Sequence, residues 1–409
     1  MKTTALLLAT ALVAVASSAF TATAAAADWR QFRGPHGNNV TDETTGPALT
    51  DAATSIAWKS DLPGRGLSSP IIVGDRVFIT CASGPRFERL HVICFNAKDG
   101  TKRWERQFWS TGRTMTHDKT NVAASTPVSD GERVFAIFSS NDLVCLDLDG
   151  NLLWLRGITR DYPNASNSLG MASSPIVLDG LLIAQVENDS ESFAVAIDSK
   201  TGENRWKIAR PKTANWTSPV VVGSGAQAVV ILQSGNGIVA VEPRTGKVAW
   251  EFLDGASTIP SSAASGDTLF VPSKGLTALR PEGPGKAPRQ LWRNNQLAPG
   301  TASPVVVGDR VYAVNAAGVL SCGDAATGNR LWQLRLKGPF SATPLYAAGK
   351  LYCVNEKGLA QVVDTTKPEG EIVSELNLGE TILGTPSLAD GALYIRSDGR
   401  LWKLGKTKS

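Results

Sequence analysis

One segment of the chain, residues 109–123, contains several side chains that could bind a ligand. It contains His117, Lys119 and Asn121 within five positions, and Arg113 lies just before them. Because histidine changes its charge near neutral pH, His117 could act as a ligand or as a proton carrier. A solvated loop histidine explains the residue as well, so both interpretations stay open.

Two further places in the chain carry similar candidates. Residues 161–171 contain Asn167 and Met171, and Trp216 stands at the corresponding place before the next repeat. We therefore predict a single binding site for a ligand or partner. It would be formed by Arg113, His117, Lys119, Asn121, Asn167, Met171 and Trp216.

Metal and catalytic motifs are the next possibility. Glu187-Asn188-Asp189 could supply oxygen ligands to Ca²⁺, although an acidic hairpin loop explains this segment as well. The sequence has no HExxH, no CxxC, no Ser/His/Asp arrangement and no glycine-rich phosphate loop. We therefore predict no metal site and no catalytic residues.

The five cysteines divide by their place in the sequence. Cys94, Cys145 and Cys322 fall at a repeat position that alanine occupies elsewhere, which indicates small buried core residues. Cys81 and Cys94 lie on two strands joined by a short loop. They could form a disulfide in an exported protein, or they could stay free. We expect Cys353 to be buried and free.

A sequence repeat indicates the secondary-structure elements that must position these side chains. The unit reads small-x-Asp-x-x-Thr-Gly-x-x-x-Trp and is plainest from Ala196 to Trp206. Its period of roughly forty residues indicates a solenoid, a propeller or an array. The tryptophans at the repeat position are Trp58, Trp104, Trp154, Trp206, Trp250, Trp292 and Trp332.

The rest of each unit has the pattern of short strands. It begins with Ser/Thr-Pro and a β-branched run, as at Ser69-Pro70, and continues through a Gly-Asp or Asp-Gly pair. Proline is tolerated at the first residue of a strand, and the pairs supply the positive φ angles of tight hairpins. Four antiparallel strands per unit, eight times over, predict an all-β protein. We expect an eight-bladed β-propeller of four-stranded blades over residues 56–405.

The two ends of the repeat indicate how the ring closes. The last unit, from Gly384 to Leu404, has only three strands, and a strand with the missing tryptophan lies at residues 56–59. We predict that this strand completes the last blade, because closure removes the open edges of a linear array. Residues 28–55 form a lead-in segment before the propeller. We expect the repeated tryptophans to pack between blades.

A propeller also predicts where the candidate residues lie. The loops that precede the innermost strand of each blade tend to open onto the central channel. Residues 109–123, residues 161–171 and Trp216 all take that place. We therefore expect the candidate site at one mouth of the channel.

The first 27 residues have the pattern of a secretory signal peptide. Lys2 precedes an apolar run from Ala5 to Ala16, and small residues lie before Asp28. The run is too short to span a bilayer, and no cysteine follows the cleavage point. We expect an exported protein, periplasmic or extracellular, without a membrane span or lipid anchor. The interspersed charges, with a formal net charge of +4, argue against nucleic acid as a partner. We expect a monomer.

The repeat resembles the tryptophan-docking motif of the pyrroloquinoline-quinone (PQQ) propeller superfamily. That superfamily includes quinoprotein alcohol and glucose dehydrogenases and the non-catalytic outer-membrane assembly lipoprotein BamB. Residues 29–37, Trp-Arg-Gln-Phe-Arg-Gly-Pro-His-Gly, resemble the start of exported PQQ-like repeat proteins of planctomycete-type bacteria. The resemblance implies that catalytic members hold PQQ beside an adjacent-cysteine disulfide, a calcium ion bound by Glu and Asn, and an Asp base. This chain has no Cys-Cys pair, so no catalytic role is carried over to its residues.

Three functions follow as hypotheses. The sequence favours a non-catalytic exported propeller that binds a protein, a peptide or a cell-envelope polymer and has no cofactor. The first alternative is a quinoprotein oxidoreductase with PQQ in the channel. The second is a BamB-like role in outer-membrane protein assembly.

Overall fold

The computed structural model describes residues 28–166 and 169–405. Within these residues, 32 strands form eight antiparallel sheets of four strands each. The sheets are the blades of an eight-bladed β-propeller, as the repeat predicts. Short helical elements connect some of the strands: α1 (Ala52–Ser55), α2 (Ile158–Asp161) and the 3₁₀ turns Gly225–Gln227 and Asn295–Leu297.

The first four blades follow the chain from the channel outward. Blade 1 contains β2 (Ile71–Val73), β3 (Arg76–Ser83), β4 (Arg89–Asn96) and β5 (Lys102–Trp109). Blade 2 contains β6 (Val128–Ser129), β7 (Arg133–Ile137), β8 (Asp142–Asp147) and β9 (Leu152–Gly157). Blade 3 contains β10 (Ile176–Leu178), β11 (Leu181–Val186), β12 (Phe193–Asp198) and β13 (Asn204–Ala209). Blade 4 contains β14 (Val220–Val222), β15 (Val229–Ser234), β16 (Gly237–Val241) and β17 (Val248–Phe252).

The next four blades repeat this order and return to the N-terminal strand. Blade 5 contains β18 (Ala263–Ser265), β19 (Thr268–Val271), β20 (Leu276–Arg280) and β21 (Arg289–Asn294). Blade 6 contains β22 (Val305–Val307), β23 (Arg310–Val314), β24 (Val319–Asp324) and β25 (Arg330–Arg335). Blade 7 contains β26 (Leu345–Ala347), β27 (Lys350–Val354), β28 (Leu359–Asp364) and β29 (Glu371–Asn377). Blade 8 contains β30 (Ser387–Ala389), β31 (Ala392–Arg396), β32 (Arg400–Leu404) and β1 (Ile56–Asp61).

The ring closes in blade 8, where β1 is the outermost strand. β1 pairs antiparallel with β32, and Lys59 lies opposite Trp402. The N-terminal strand therefore completes the last blade, which confirms the predicted closure. Hairpins inside the blades use the predicted turn chemistry: Asp179 and Gly180 both have positive φ, at 51° and 76°, as a two-residue turn requires.

Six of the seven repeated tryptophans lie against the glycine in the last turn of the next blade, which is a Thr-Gly turn in blades 3, 4 and 6. The indole N–H of Trp206 donates to the carbonyl oxygen of Pro243 at 2.8 Å. Its ring lies against Gly246, which has a φ of +69° and where a Cβ atom would be 2.7 Å from the ring. The glycine of the motif is thus required twice, by its backbone conformation and by contact with the indole. The same indole hydrogen bond joins Trp58 to Ala97, Trp104 to Leu148, Trp154 to Ser199 and Trp292 to Ala325.

A second set of contacts joins the blades around the channel, and the sequence did not predict it. A Ser or Thr at the start of an inner strand, which precedes a proline except at Ser261, uses its hydroxyl to accept a backbone N–H from the preceding blade. The backbone N–H of Ser69, for example, donates to Oγ1 of Thr126 at 2.9 Å. The series continues through Ser174, Ser218, Ser261, Ser303, Thr343 and Thr385 at 2.9 to 3.1 Å. We call this series the hydroxyl ring.

The lead-in segment closes one end of the channel, where the inner strands finish. Trp29 forms a β-bridge with Ile72, and Val40 forms one with Tyr346 in blade 7. Between them, the guanidinium of Arg33 is buried and donates to the carbonyl oxygens of Ser262 (2.7 Å) and Pro304 (2.8 Å). Burial lowers the pKa of Arg33 to about 9. The segment therefore anchors itself to several blades and covers the channel base.

All five cysteines are buried and free. Cys81 lies opposite His91, whereas Cys94 lies opposite Phe78. A three-residue offset along the strand places the two thiols on opposite faces of the sheet. The disulfide considered from the sequence is therefore not formed. Burial raises the pKa of the Cys94 and Cys145 thiols to about 12.

No helix among the described residues is long and apolar enough to cross a membrane. Residues 1–27, to which the signal-peptide prediction applies, lie outside the described part of the chain.

Candidate functional site

A cavity of about 340 Å³ lies at the end of the channel where the inner strands begin. Its floor is Phe32, which the lead-in segment places inside the channel. Its wall consists of residues of the hydroxyl ring, whose side chains are held in place by the inter-blade hydrogen bonds. We call this cavity the channel cup. Its rim is formed by His117, Lys119, Thr120, Leu169, Trp216 and Ile259.

Three of the predicted site residues line the cup: His117, Lys119 and Trp216. Nδ1 of His117 accepts the backbone N–H of Lys119 at 3.1 Å, and among the described residues Nε2 has no recorded hydrogen-bond partner. Nζ of Lys119 lies 3.2 and 3.3 Å from the carboxylate oxygens of Glu356, across the channel in the blade 7 hairpin. The lysine charge is therefore already balanced by a carboxylate of this chain.

The other predicted residues do not line the cup. Asn121 is buried, and its Oδ1 accepts the backbone N–H of Ala123 at 2.9 Å, so it shapes its own loop. Met171 is buried in the apolar core of blades 2 and 3. Arg113 is exposed, with Nη2 3.9 Å from the sulfur of Met115. Asn167 lies outside the described residues.

Two hydrogen bonds between neighbouring loops fix the shape of the rim. The backbone N–H of His117 donates to the carbonyl oxygen of Leu169 at 2.9 Å. The indole N–H of Trp216 donates to the carbonyl oxygen of Gly170 at 2.8 Å. The loops that precede blades 2, 3 and 4 therefore form one connected surface, and the indole is oriented before any ligand arrives.

The exposed part of this surface is mainly apolar. Leu169 is 41% exposed and Ile259 is 48% exposed at the rim, next to Trp216. Among the described residues that line the cup there is no carboxylate, and the basic side chains are His117 and Lys119. Such a surface is chemically suited to an apolar group that a few polar contacts orient.

Glu187, considered as a calcium ligand, belongs to a buried hydrogen-bond network instead. Its carboxylate accepts from Nε of Arg210 at 2.6 Å, Nδ2 of Asn215 at 2.9 Å and Nε2 of Gln185 at 2.8 Å. Three N–H donors therefore occupy the oxygens that a cation would need. The acidic hairpin interpretation does not describe this residue either, since its side chain is fully buried.

Sequence reasoning missed Phe32, Leu169 and Ile259. Phe32 lies in the run of residues 29–37 that resembles the start of exported PQQ-like repeat proteins, but the sequence does not show that this run enters the channel. Ile259 stands one residue before Pro260, at the end of the loop that precedes blade 5. Trp216 occupies the same position in the preceding unit. This correspondence could have identified Ile259 from the sequence.

Curated proteins that resemble the chain carry two kinds of name. A polyvinylalcohol dehydrogenase of Pseudomonas sp is 26% identical over 254 residues, which are 50% of this chain and 37% of that protein. Outer membrane protein assembly factor BamB of Burkholderia pseudomallei is 26% identical over 268 residues, 65% of this chain and 54% of that protein. The chain thus matches between about a third and about half of the length of these relatives.

Solved structures of both kinds share the fold. BamB from Moraxella catarrhalis superposes with a TM-score of 0.61 at 16% identity, covering 86% of this chain and 98% of that one. A europium-containing methanol dehydrogenase superposes with a TM-score of 0.70 at 12% identity, covering 93% of this chain and 98% of that one. At such identities the likeness shows a common architecture.

A family model covers most of the chain. The family described as outer membrane protein assembly factor BamB matches residues 34–223, 191–284 and 285–367. These segments contain the lead-in segment from Gly34 onward, β1, blades 1 to 6 and the first three strands of blade 7. With the tryptophan repeat and the eight closed blades, this match shows that the chain belongs to the PQQ-like β-propeller superfamily, in the family described by BamB.

Proposed function

We propose that this protein is an exported, non-catalytic propeller that binds a partner protein or peptide at the channel cup. The observation that carries the proposal is a cup whose exposed surface is mainly apolar. Phe32 lies at its base, and Leu169, Trp216 and Ile259 present apolar surface at its rim. Large apolar side chains that remain exposed around a concavity are typical of binding sites. A partner would insert an apolar side chain or chain end.

The match to the BamB family supports a protein partner. The family description and the relatives named BamB refer to assembly of outer-membrane proteins. For this chain, a BamB-like role is the narrower form of the same proposal. It would place the protein in the periplasm, in agreement with the signal-peptide pattern of residues 1–27.

The oxidoreductase alternative is favoured by the relatives named polyvinylalcohol dehydrogenase. A PQQ site needs a flat stacking surface, cationic or amide groups for the carboxylates of PQQ, and a divalent cation on its quinone oxygens. The cup offers the indole of Trp216, but Lys119 already pairs with Glu356, and the carboxylate of Glu356 is held by Lys119 and by the hydroxyl of Ser341. The residues present do not fit PQQ with its cation.

Dye reduction tests this alternative directly. We expect the protein incubated with PQQ and Ca²⁺ to show no PQQ-dependent oxidation of alcohols, sugars or polyvinyl alcohol, because the cup lacks groups to hold the quinone and the cation. The matched control omits PQQ. Robust dye reduction that disappears in this control would overturn the non-catalytic proposal.

Capture from a native envelope extract tests the binding proposal. We expect Trp216→Ala and Ile259→Glu each to reduce recovery of the specific partner at least about tenfold, roughly 1.4 kcal/mol. The first removes the oriented indole, and the second adds a charge to the apolar rim. We expect a smaller reduction for His117→Ala, which removes a single polar group.

Leu331→Lys is the matched control for capture. Leu331 is 47% exposed on β25, an outer strand far from the cup, so this substitution adds a charge to an apolar surface elsewhere. Asn121→Ala is not informative here, because Asn121 is buried and holds its loop. Recovery unchanged by both rim substitutions would move the site away from the cup.

A further inference from the structure

Three polar side chains lie in a diagonal row across blade 1, outside the channel cup. Ser83 ends β3, His91 lies on β4 and Glu105 lies on β5. Cys81 lies opposite His91, and Ile93 lies opposite Glu105. Because directly opposite residues share a face of the sheet, and so do residues two apart on a strand, the three polar side chains lie on one face. The blade thus brings together residues that are 8 and 14 positions apart in the sequence.

Two hydrogen bonds join these side chains in series. Oγ of Ser83 lies 2.7 Å from Nε2 of His91, and Nδ1 of His91 lies 2.8 Å from Oε1 of Glu105. An ionised carboxylate only accepts hydrogen bonds, which assigns the ring proton to Nδ1. In the neutral ring, Nε2 then accepts the hydroxyl proton of Ser83. A nucleophile, a base and a group that orients the base therefore follow one another, an arrangement that is recognised by geometry and not by sequence position.

The far end of the row is held in place by further donors. Nζ of Lys102 donates to Oε2 of Glu105 at 2.6 Å, and Nε2 of Gln107 donates to Oε1 at 3.1 Å. His91 is only 2% exposed, so its ring is fixed before any reactant arrives. The charge of Glu105 can stabilise the imidazolium that forms when His91 takes a proton.

The near end of the row lies at the surface. Ser83 is partly exposed, and residues 84–86 of the hairpin after it are exposed. Among the described residues, the backbone N–H of Gly84 has no recorded acceptor. This N–H directly follows the nucleophile and can donate to an oxygen that becomes negative beside it. A reactant can therefore reach the hydroxyl from solvent.

We propose that Ser83 is a nucleophile that takes an acyl group from an activated ester or thioester. A bond forms between Oγ and the carbonyl carbon, the bond from that carbon to the leaving group breaks, and the leaving group departs with the electron pair. The serine proton passes to Nε2 of His91. With one backbone donor at Gly84 and a buried imidazole, the site favours a leaving group that is a stable anion and needs no proton. Amides are therefore poor donors.

The reaction stops at the acyl-serine. Hydrolysis of this adduct needs a water beside Nε2 of His91, and the burial of the imidazole leaves that place to Oγ of Ser83. The protein is therefore modified once and does not turn over. Ser83, His91 and Glu105 do not line the channel cup, so this modification goes beyond the binding function proposed for the cup and does not depend on it.

Incubation of the mature protein with p-nitrophenyl acetate tests the proposal, with peptide mapping by mass spectrometry to give the acetylation rate of each serine. We expect Ser83 to react at least about 100-fold faster than Ser60, since a positioned base contributes about 10²–10⁴-fold. Ser60 is the matched control in the same molecule. It is also partly exposed, but its hydroxyl donates to the carbonyl oxygen of Gly100 at 2.6 Å. The acetyl group on Ser83 should persist after the reagent is removed.

Substitutions separate a reactive row from a structural one. His91→Gln removes the base and should slow acetylation of Ser83 at least about 100-fold. Glu105→Gln keeps the side-chain shape but removes the charge, so we expect a reduction of at least about tenfold at an unchanged melting temperature. It remains informative if His91→Gln melts lower. Ser83→Ala should abolish the adduct and leave partner capture by the cup unchanged, so either proposal can fail without the other.

Three outcomes would contradict this inference. Ser83 that reacts no faster than Ser60 would overturn the proposed nucleophile. Acetylation at the parental rate in Glu105→Gln and His91→Gln, with both variants folded, would show that the row is structural. Rapid loss of the acetyl group from Ser83 after the reagent is removed would overturn the stop at the adduct.

Discussion

A chain that lacks residues 28–60 is expected to lose more free energy of unfolding than a single buried tryptophan contributes, so more than about 3–5 kcal/mol. The deletion removes the outer strand of blade 8 and the indole of Trp58, which is 8% exposed and donates to Ala97 of blade 1 at 3.2 Å. It also removes the contacts of Arg33 and exposes the edge of β32. Thermal and denaturant unfolding measure the loss.

A shorter deletion separates the contribution of β1 and Trp58 to stability from that of the segment at the channel base. A chain that begins at Ala52 keeps α1, β1 and Trp58 but loses the segment that closes the channel base. We expect its melting temperature to lie clearly above that of the chain without residues 28–60. If a chain that begins near residue 66 melts like the full mature protein, the ring does not depend on its shared blade.

The fold was predictable because its determinants are local and repeated. Each Thr-Gly turn and each tryptophan recurs at a fixed spacing, and each turn pair needs a particular φ. Blade 7 has no tryptophan at the repeat position but keeps the register, with Ser374 opposite Val362. The closure followed from counting strands, since blade 8 lacked one and an extra one lay at the N-terminus.

The site was predictable only in outline. The order of strands in a blade places the preceding loop at the channel mouth, which located His117, Lys119 and Trp216. Whether a loop side chain faces the channel or the core depends on neighbouring blades, and this is why Asn121 and Met171 were misplaced. The position of Phe32 at the base of the cup could not be predicted from the local sequence. Phe32 reaches the channel because Arg33, the next residue, contacts blades 5 and 6.

Glu187, which the sequence offered as a metal ligand, shows the same limit of local sequence patterns. An acidic residue after a strand, followed by Asn188 and Asp189, has the composition of a metal-binding loop. Its real partners, Arg210 and Asn215, come from later positions that a local pattern does not connect to it. Paired and fully hydrogen-bonded, the carboxylate can stay buried.

The tryptophan contacts between blades give the largest effect expected from one substitution. We expect Trp206→Ala to lower the free energy of unfolding by about 3–5 kcal/mol. The side chain is 8% exposed, belongs to the apolar core between blades 3 and 4, and donates its indole N–H to Pro243. Trp206→Phe keeps much of the apolar contact and loses the hydrogen bond, so we expect a smaller loss that includes about 0.5–1.5 kcal/mol for that bond.

Trp109→Ala is the matched control, because it removes the same side chain from the end of β5. There the ring is 65% exposed and contacts the guanidinium of Arg89 at 5.3 Å from the ring centroid. A loss within about 0.5–1 kcal/mol is expected for such an exposed contact. Denaturant titration of the three variants measures the difference. Equal losses for Trp206→Ala and Trp109→Ala would mean that the indoles of the repeat do not hold the blades together, and the ring would then depend on the hydroxyl ring and the strand pairing of blade 8.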